Sequence, residues 1–94
     1  MSDNQQLAPP RILIVEDDAE MVELMQNMLA LVRCEVRVAH SGEEALSLLR
    51  EEAETRREID LVLLDIMVPG MDGYEVIARM KADPVLRNTS IIMT

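Results

Sequence analysis

The stretch of residues 61–73, LVLLDIMVPGMDG, constrains the fold more strongly than any other part of the sequence. Its uninterrupted apolar start predicts a strand that is buried on both faces of a parallel sheet. Pro69, Gly70 and Gly73 follow closely and exclude a helix that continues through this point. We therefore expect Asp65 to lie where a buried strand emerges into a loop. In open α/β sheets, this carboxyl edge is where ligands bind.

The rest of the chain alternates between strand-like and helix-like patterns. Apolar or alternating segments predict four strands, at residues 11–15, 34–39, 59–64 and 90–94. Between them, helices are predicted from Met21, from the Ser41-Gly-Glu-Glu44 capping box and from Tyr74 to a stop near Pro84. This β-α-β-α-β-α-β order predicts an α/β fold, with a parallel sheet and right-handed crossovers.

The expected core is rich in methionine and leucine, because the chain has 8 Met, one Tyr and neither Phe nor Trp. The first helix carries an apolar stripe of Met21, Leu24, Met25, Met28 and Leu29, which we interpret as core rather than as a metal-binding motif. Tyr74, Ile77 and Met80 recur at intervals of three and mark the third helix. The charged segment of residues 51–58, EEAETRRE, is interpreted as a solvated helix end and loop.

The remaining polar residues that could carry chemistry are interpreted more simply. His40 lies between a strand and a helix and is expected to face solvent, and Lys81 is expected on the surface of the third helix. Cys34 is the one cysteine, so it cannot form an internal disulfide and is expected to be a small, half-buried residue.

Charge and hydropathy limit the classes of function. The net charge is −9, from 18 acidic and 9 basic residues, which argues against direct nucleic-acid binding and favours a cation site or a basic partner. No apolar run approaches the ~20 residues of a membrane span. The polar residues 1–10, which end in two prolines, resemble a flexible tail rather than a signal peptide. With a single cysteine, these features predict a cytoplasmic protein.

Acidic residues follow two strands that a parallel sheet would place side by side. Glu16, Asp17 and Asp18 come directly after the first strand, and Asp65 follows the third. Like charges at one edge are costly unless a cation lies among them or one carboxyl is protonated. An all-oxygen pocket with few ligands and room for water suits Mg²⁺. Helix capping by the first three acids is the alternative interpretation.

These residues resemble the receiver domain of two-component response regulators. The resemblance rests on Glu16-Asp17 after RILIV and on the string from Asp65 to Gly73, DIMVPGMDG, after LVLL. It covers residues 11–94. It implies a flavodoxin-like, doubly wound sheet in the order 2-1-3-4-5, of which this sequence encodes four strands and three helices.

The resemblance also implies a role for each matching residue. Asp65 would accept a phosphoryl group from a histidine kinase or a histidine phosphotransfer protein. Mg²⁺, or Mn²⁺ in its place, would be bound by Asp17, Asp65 and the backbone carbonyl of Met67, with Glu16 as a ligand through water. Pro69 and Gly70 would shape the loop, and Gly73 would end it. The domain would be a signalling module rather than an enzyme.

The sequence departs from the family pattern at its end. The resemblance implies a fifth strand that carries a lysine, and a fourth and a fifth helix, none of which these 94 residues encode. The family's switch Ser or Thr would fall one residue beyond the end, with Thr94 as a less favoured candidate. We therefore expect residues 11–94 to form an incomplete receiver domain, either a fragment or a truncated relative. An unpaired fourth strand and an uncovered sheet face predict self-association.

Two other classes of function stay open at this point. A phosphatase of the haloacid-dehalogenase type also uses an aspartate after an apolar strand, but it needs a second acid two residues later, where this chain has Met67. The other class is an interaction module that no longer switches.

Overall fold

Strands and helices alternate along the chain in the order that the sequence predicts. The structure, a computed structural model, describes residues 8–65 and 70–94. Its elements are β1 (Arg11–Val15), α1 (Ala19–Leu29), β2 (Glu35–Ala39), α2 (Gly42–Glu54), β3 (Leu61–Leu64), α3 (Gly73–Ala82) and β4 (Ser90–Met93). Of the predicted tail, residues 8–10 have no regular structure, and residues 1–7 lie outside the described residues.

The strands form one parallel sheet in the order β2-β1-β3-β4. Ile12 of β1 is in register with Val36 on one side and with Leu61 on the other. The strand order reverses at β1, which is the point where doubly wound sheets bind ligands. The predicted α/β, flavodoxin-like class is therefore confirmed, with the four strands in the family's order 2-1-3-4.

Helices cover the sheet on two faces. One core cluster joins alternate sheet residues, among them Leu13, Val15, Val62 and Leu64, to α2 and α3. Because side chains alternate along a strand, Ile12 and Ile14 lie on the opposite face, where α1 buries Val22. Right-handed crossovers require this division of the helices. The carboxyl ends of β1 and β3 consequently meet at one edge.

The strand that is buried on both faces is β1, not β3. All five residues of β1 are buried. In β3, Val62 and Leu64 are buried, whereas Leu61 and Leu63 are only half-buried. The prediction that residues 61–64 are buried on both faces is therefore wrong for the face that carries α1. In the described chain, this helix contacts β2 and leaves the same face of β3 partly open.

The apolar stripe of α1 is also placed differently from the prediction. Leu24 is 53% exposed and Met28 is 61% exposed, and Met21 is exposed as well. The helix contacts the sheet through Val22, with Met25 and Leu29 half-buried. The apolar surface of α1 is wider than the sheet contact, so the interpretation of the whole stripe as core is wrong.

Local signals set the starts of the other two helices. The Ser41 hydroxyl accepts a hydrogen bond from the Glu44 amide at 3.1 Å, as the capping box predicts. Asp72 caps α3 by accepting from the Glu75 amide at 2.9 Å. In α3, Val76 and Met80 face the core, whereas Tyr74 is 66% exposed. The interval of three therefore marks the helix, but its buried face centres on Val76 and Met80 and does not include Tyr74.

One charged residue of the segment 51–58 is buried, which corrects the interpretation of this segment as solvated. Glu52 is 8% exposed, and its carboxylate accepts a hydrogen bond from the guanidinium of Arg11, itself 7% exposed. Arg37 lies 3.2 Å from the same carboxylate oxygen. This ion pair joins the start of β1 to α2, at the edge of the sheet opposite Asp65. Its burial is tolerated because each charge has a partner.

The expectations for Cys34 and Lys81 agree with the structure. Cys34 is half-buried, and its thiol lies 3.6 Å from the Leu29 carbonyl. Lys81 is exposed and donates a hydrogen bond to the Arg87 carbonyl at 3.2 Å. Among the described residues, no helix is long and apolar enough to cross a membrane.

Candidate functional site at the carboxyl edge of the sheet

The parallel pairing of β1 with β3 brings the predicted acidic residues together. Val15 and Leu64 are in register, and the Asp65 amide donates a hydrogen bond to the Val15 carbonyl at 3.1 Å. Glu16, Asp17 and Asp65 each offer a carboxylate oxygen, and these oxygens lie within 4.8 Å of one another. The strand ends therefore gather three carboxylates from two loops at one point.

Glu16 occupies the buried side of this cluster. Its amide donates to the Ala39 carbonyl at 3.0 Å, and its carboxylate accepts from the Asp18 amide at 3.2 Å. Burial raises the pKa of Glu16, and a hydrogen bond and negative charge from Asp65, followed by the charge of Asp17, raise it further. A positive ion among these carboxylates would reverse the repulsive part of that shift.

Helix capping accounts for Asp18 rather than for the whole acidic run. Asp18 is the N-cap of α1, and its carboxylate accepts from the Glu20 amide at 2.9 Å. Asp17 is exposed and lies with Glu16 and Asp65. The two interpretations of the acidic run thus apply to different residues.

The loop after Asp65 is described only in part. Gly70 has φ +86°, a conformation that favours glycine. A Cβ atom at Gly70 would lie 2.9 Å from a carboxylate oxygen of Glu43. Gly73 is the first residue of α3 rather than a loop residue. Met67 and Pro69 lie outside the described residues, so their predicted roles stay predictions.

Thr94 lies close to the acidic cluster. Its amide donates to the Leu64 carbonyl at 2.9 Å, continuing the β3–β4 ladder. A groove of about 400 Å³ runs from the cluster along α1 and is lined by Glu16, Met21, Leu24, Met25, Met28, Asp65 and Thr94. The groove has carboxylates at one end and the exposed apolar face of α1 along its side.

Sequence reasoning assigned His40 to solvent and missed its contact with the site. His40 is exposed, but its Nδ1 atom lies 3.3 Å from the Glu16 carbonyl oxygen. One signal for this contact was present in the sequence. His40 directly follows β2, which neighbours β1 in the predicted order, so the two loops leave the sheet at the same edge.

The chemistry of the donor set fits a hard divalent cation. The described residues of the cluster offer carboxylate oxygens only, which are the ligands that Mg²⁺ prefers. Asp17 is exposed and Asp65 is half-buried, so water can complete the coordination. A carboxylate beside such an ion can also act as a nucleophile toward an anionic substrate.

Comparison with known proteins identifies the family. The model of the response regulator receiver domain matches residues 12–94. The transcriptional regulatory protein CpxR of Escherichia coli is 39% identical over 83 residues, which are 88% of this chain and 32% of that protein. The chain thus spans about a third of the length of this relative.

Solved structures agree with the family match. The phosphorylated cyanobacterial phytochrome response regulator RcpA has a TM-score of 0.80 and 38% identity, over 92% of this chain and 64% of that one. The Mn²⁺-bound form of response regulator Rcp1 has a TM-score of 0.79 and 30% identity, over 90% and 64% of the two chains. The chain therefore belongs to the family of response regulator receiver domains, the signalling modules of two-component systems.

Proposed function

We propose that this domain receives a phosphoryl group on Asp65 from a phosphohistidine donor, with the assistance of Mg²⁺. The observation that carries the proposal is the position of Asp65, at the carboxyl end of β3 and within 4.8 Å of the carboxylate oxygens of Glu16 and Asp17. A histidine kinase or a histidine phosphotransfer protein would be the donor. The role is signalling rather than enzymatic, since the phosphoryl group stays on the domain.

Asp17 and Asp65 are proposed as direct Mg²⁺ ligands and Glu16 as a ligand through water, with the Met67 carbonyl as a further oxygen. The raised pKa of Glu16 supports this assignment, because burial and neighbouring acids make its carboxylate costly without a cation. The structure of Rcp1 with Mn²⁺, in a related chain, supports Mn²⁺ as an alternative ion. The bound ion would supply positive charge that offsets repulsion between the carboxylates and phosphoryl oxygens.

The proposed transfer uses a carboxylate oxygen of Asp65 as the nucleophile. It forms a bond to phosphorus while the bond between phosphorus and the donor imidazole nitrogen breaks, and the electron pair leaves with that nitrogen. Asp65 is half-buried, so one side stays open to a donor. The structure of phosphorylated RcpA, in a related chain, supports phosphorylation as the chemistry of this fold. Thr94 stays a less favoured candidate for the switch hydroxyl, although it lines the same groove.

The phosphoryl group would add negative charge and acceptor oxygens at Asp65, in the groove that Thr94 also lines. A change in the loop after β3 could then carry the signal to a partner. We assign this role to residues 11–94 in the cytoplasm, with residues 1–10 as a tail outside the domain. The acidic surface argues against direct contact with nucleic acid.

The alternative functions are weaker. A haloacid-dehalogenase-type phosphatase would need an acid at position 67, which is Met. A module that binds partners without switching is favoured by one observation, the exposed apolar face of α1. That face and the edge strand β4 also support self-association of the 94-residue chain.

Treatment with acetyl phosphate and Mg²⁺, followed by intact-mass measurement, tests the proposal. The expected product is one phosphoryl adduct that requires Mg²⁺ and is absent from Asp65→Asn. Asp60→Asn, which changes an exposed aspartate at the other edge of the sheet, is the matched control and should still be modified. An adduct that persists in Asp65→Asn would refute the proposed acceptor.

A further inference from the structure

We infer that His40 is a positioning residue that orients the peptide bond between Glu16 and Asp17. The inference rests on the proposed function, because it concerns how the acidic loop is held for a divalent cation. Its basis is the 3.3 Å contact between His40 Nδ1 and the Glu16 carbonyl oxygen. A carbonyl oxygen only accepts hydrogen bonds, so Nδ1 carries the proton in this contact.

Two hydrogen bonds tie the loop after β1 to the loop after β2. The Glu16 amide donates to the Ala39 carbonyl at 3.0 Å, and the His40 ring donates back to the Glu16 carbonyl. The first bond continues the β1–β2 ladder, in which Val15 and Ala39 are in register. The second bond lies beyond the ladder and depends on a side chain. Glu16 is therefore held at both its amide and its carbonyl.

The backbone of His40 is itself anchored, although its side chain is exposed. Its amide donates to a carboxylate oxygen of Glu44 at 2.8 Å. The Glu44 amide in turn donates to the Ser41 hydroxyl at 3.1 Å. These bonds fix the residue to the first turn of α2. The ring thus projects from a rigid helix start toward the acidic loop, and few of its rotamers keep the contact.

The Glu16 carbonyl and the Asp17 amide belong to one planar peptide unit. A rotation of this unit would turn the Asp17 side chain relative to Asp65, because Asp17 follows directly. Asp17 and Asp65 lie in loops that follow different strands, so the separation of their carboxylates depends on the direction of the loop after β1. Holding the Glu16 carbonyl therefore sets the position of Asp17 for metal binding. This is the role that hydrogen-bonded partners of metal ligands commonly have.

Metal titration of His40 variants tests the inference. His40→Ala removes the donor, whereas His40→Asn places an amide N–H at the same distance from the backbone as Nδ1. Titration of Mn²⁺ by electron paramagnetic resonance, with Mg²⁺ in competition, should show about tenfold weaker binding for His40→Ala. His40→Asn should restore most of the affinity. Thermal melting without metal should be nearly unchanged in both variants, as in Ser47→Ala, an exposed α2 control.

Different outcomes separate this inference from the proposed function. Parent-like metal affinity in His40→Ala would overturn the inference, and so would an equal loss in His40→Ala and His40→Asn. Asp17→Asn is measured in the same series. If Asp17→Asn lowers the affinity while His40→Ala does not, only the inference fails. If Asp17→Asn also titrates like the parent, the metal site is wrongly placed and the proposed function fails with it.

Discussion

Arg11, the first residue of β1, donates a hydrogen bond from its guanidinium to the carboxylate of Glu52, which lies 41 residues later near the end of α2. Both side chains are buried. Arg11 also pairs with Glu35 at 3.2 Å, and Arg37 pairs with Glu52 at 3.2 Å. The network joins two strands and a helix at the amino edge of the sheet, where no catalytic role is proposed. Its contribution should therefore appear in stability.

Glu52→Gln should lower the free energy of unfolding at neutral pH by about 3 kcal/mol, since it leaves the buried charge of Arg11 without its main partner. Urea denaturation measures this difference. The exposed neighbour Glu51 provides the control Glu51→Gln, which should cost much less. Equal stability of Glu52→Gln and the parent would show that the pair contributes little.

The same pair predicts a pH dependence of stability. The hydrogen bond from Arg11 holds the pKa of Glu52 below its ordinary value of 4.5. The unfolded chain therefore binds a proton more readily than the folded one below pH 4.5, and the stabilisation is lost as the pH falls through the folded pKa. The stability difference between the parent and Glu52→Gln should be full above pH 4.5. It should shrink as the pH falls through the lower pKa that Glu52 has in the folded protein. A difference that stays constant in acid would contradict the assignment.

Asp17→Asn should weaken Mg²⁺ binding by about tenfold or more and block modification of Asp65 by acetyl phosphate. The reason is the loss of one charge from the three carboxylates. Asp18→Asn is a matched control, because Asn caps a helix about as well as Asp. It should keep both metal binding and modification. If Asp18→Asn loses modification while Asp17→Asn keeps it, Asp18 rather than Asp17 is the essential acid.

Gly70→Ala should destabilise the fold by about 1–2 kcal/mol, because Gly70 has φ +86°. The added methyl group would also approach the Glu43 carboxylate. Comparison with the double variant Gly70→Ala/Glu43→Ala separates the two causes in urea denaturation. The double variant should recover only the part of the lost stability that comes from contact between the added methyl group and the Glu43 side chain. A Gly70→Ala protein as stable as the parent would refute the backbone argument.

The 94-residue chain should self-associate in solution through the exposed face of α1 and the edge of β4. Sedimentation velocity should show a weight-average mass that rises with protein concentration. Leu24→Gln with Met28→Gln should reduce this rise, whereas the exposed control Asn27→Gln should not. A monomer at every concentration would contradict the prediction.

The order and type of the elements could be predicted from the sequence because local signals agree with the fold. The Ser41 cap, the stop before Pro84 and the apolar run of residues 61–64 each favour the element that the structure contains. The meeting of Glu16 with Asp65 follows from the parallel pairing of their strands. The roles of these residues stay predictions, since geometry alone does not test them.

The sequence did not predict which side of each element is covered. The periodicity of α1 marks an apolar surface, but only packing decides that Val22 faces the sheet while Leu24 does not. Glu52 lies in a charged segment that is typical of a solvated helix end, and its partner Arg11 is distant in sequence. Long-range pairing of this kind leaves no local pattern. The contact of His40 with Glu16 differs, because the predicted strand order already placed the loops after β1 and β2 at the same edge.

The two edges of the sheet differ in their balance of charge. The described loops and helix starts at the carboxyl edge, in residues 16–20, 39–44 and 70–75, contain acids and no Lys or Arg. At the amino edge, Arg11, Arg37 and Arg57 compensate Glu35 and Glu52. Among the described residues, the negative charge at the carboxyl edge therefore has fewer positive partners than the negative charge at the amino edge. A positively charged partner would be turned by the field of this charge before contact, so that it meets the edge with Asp65 first, and added salt would slow its association.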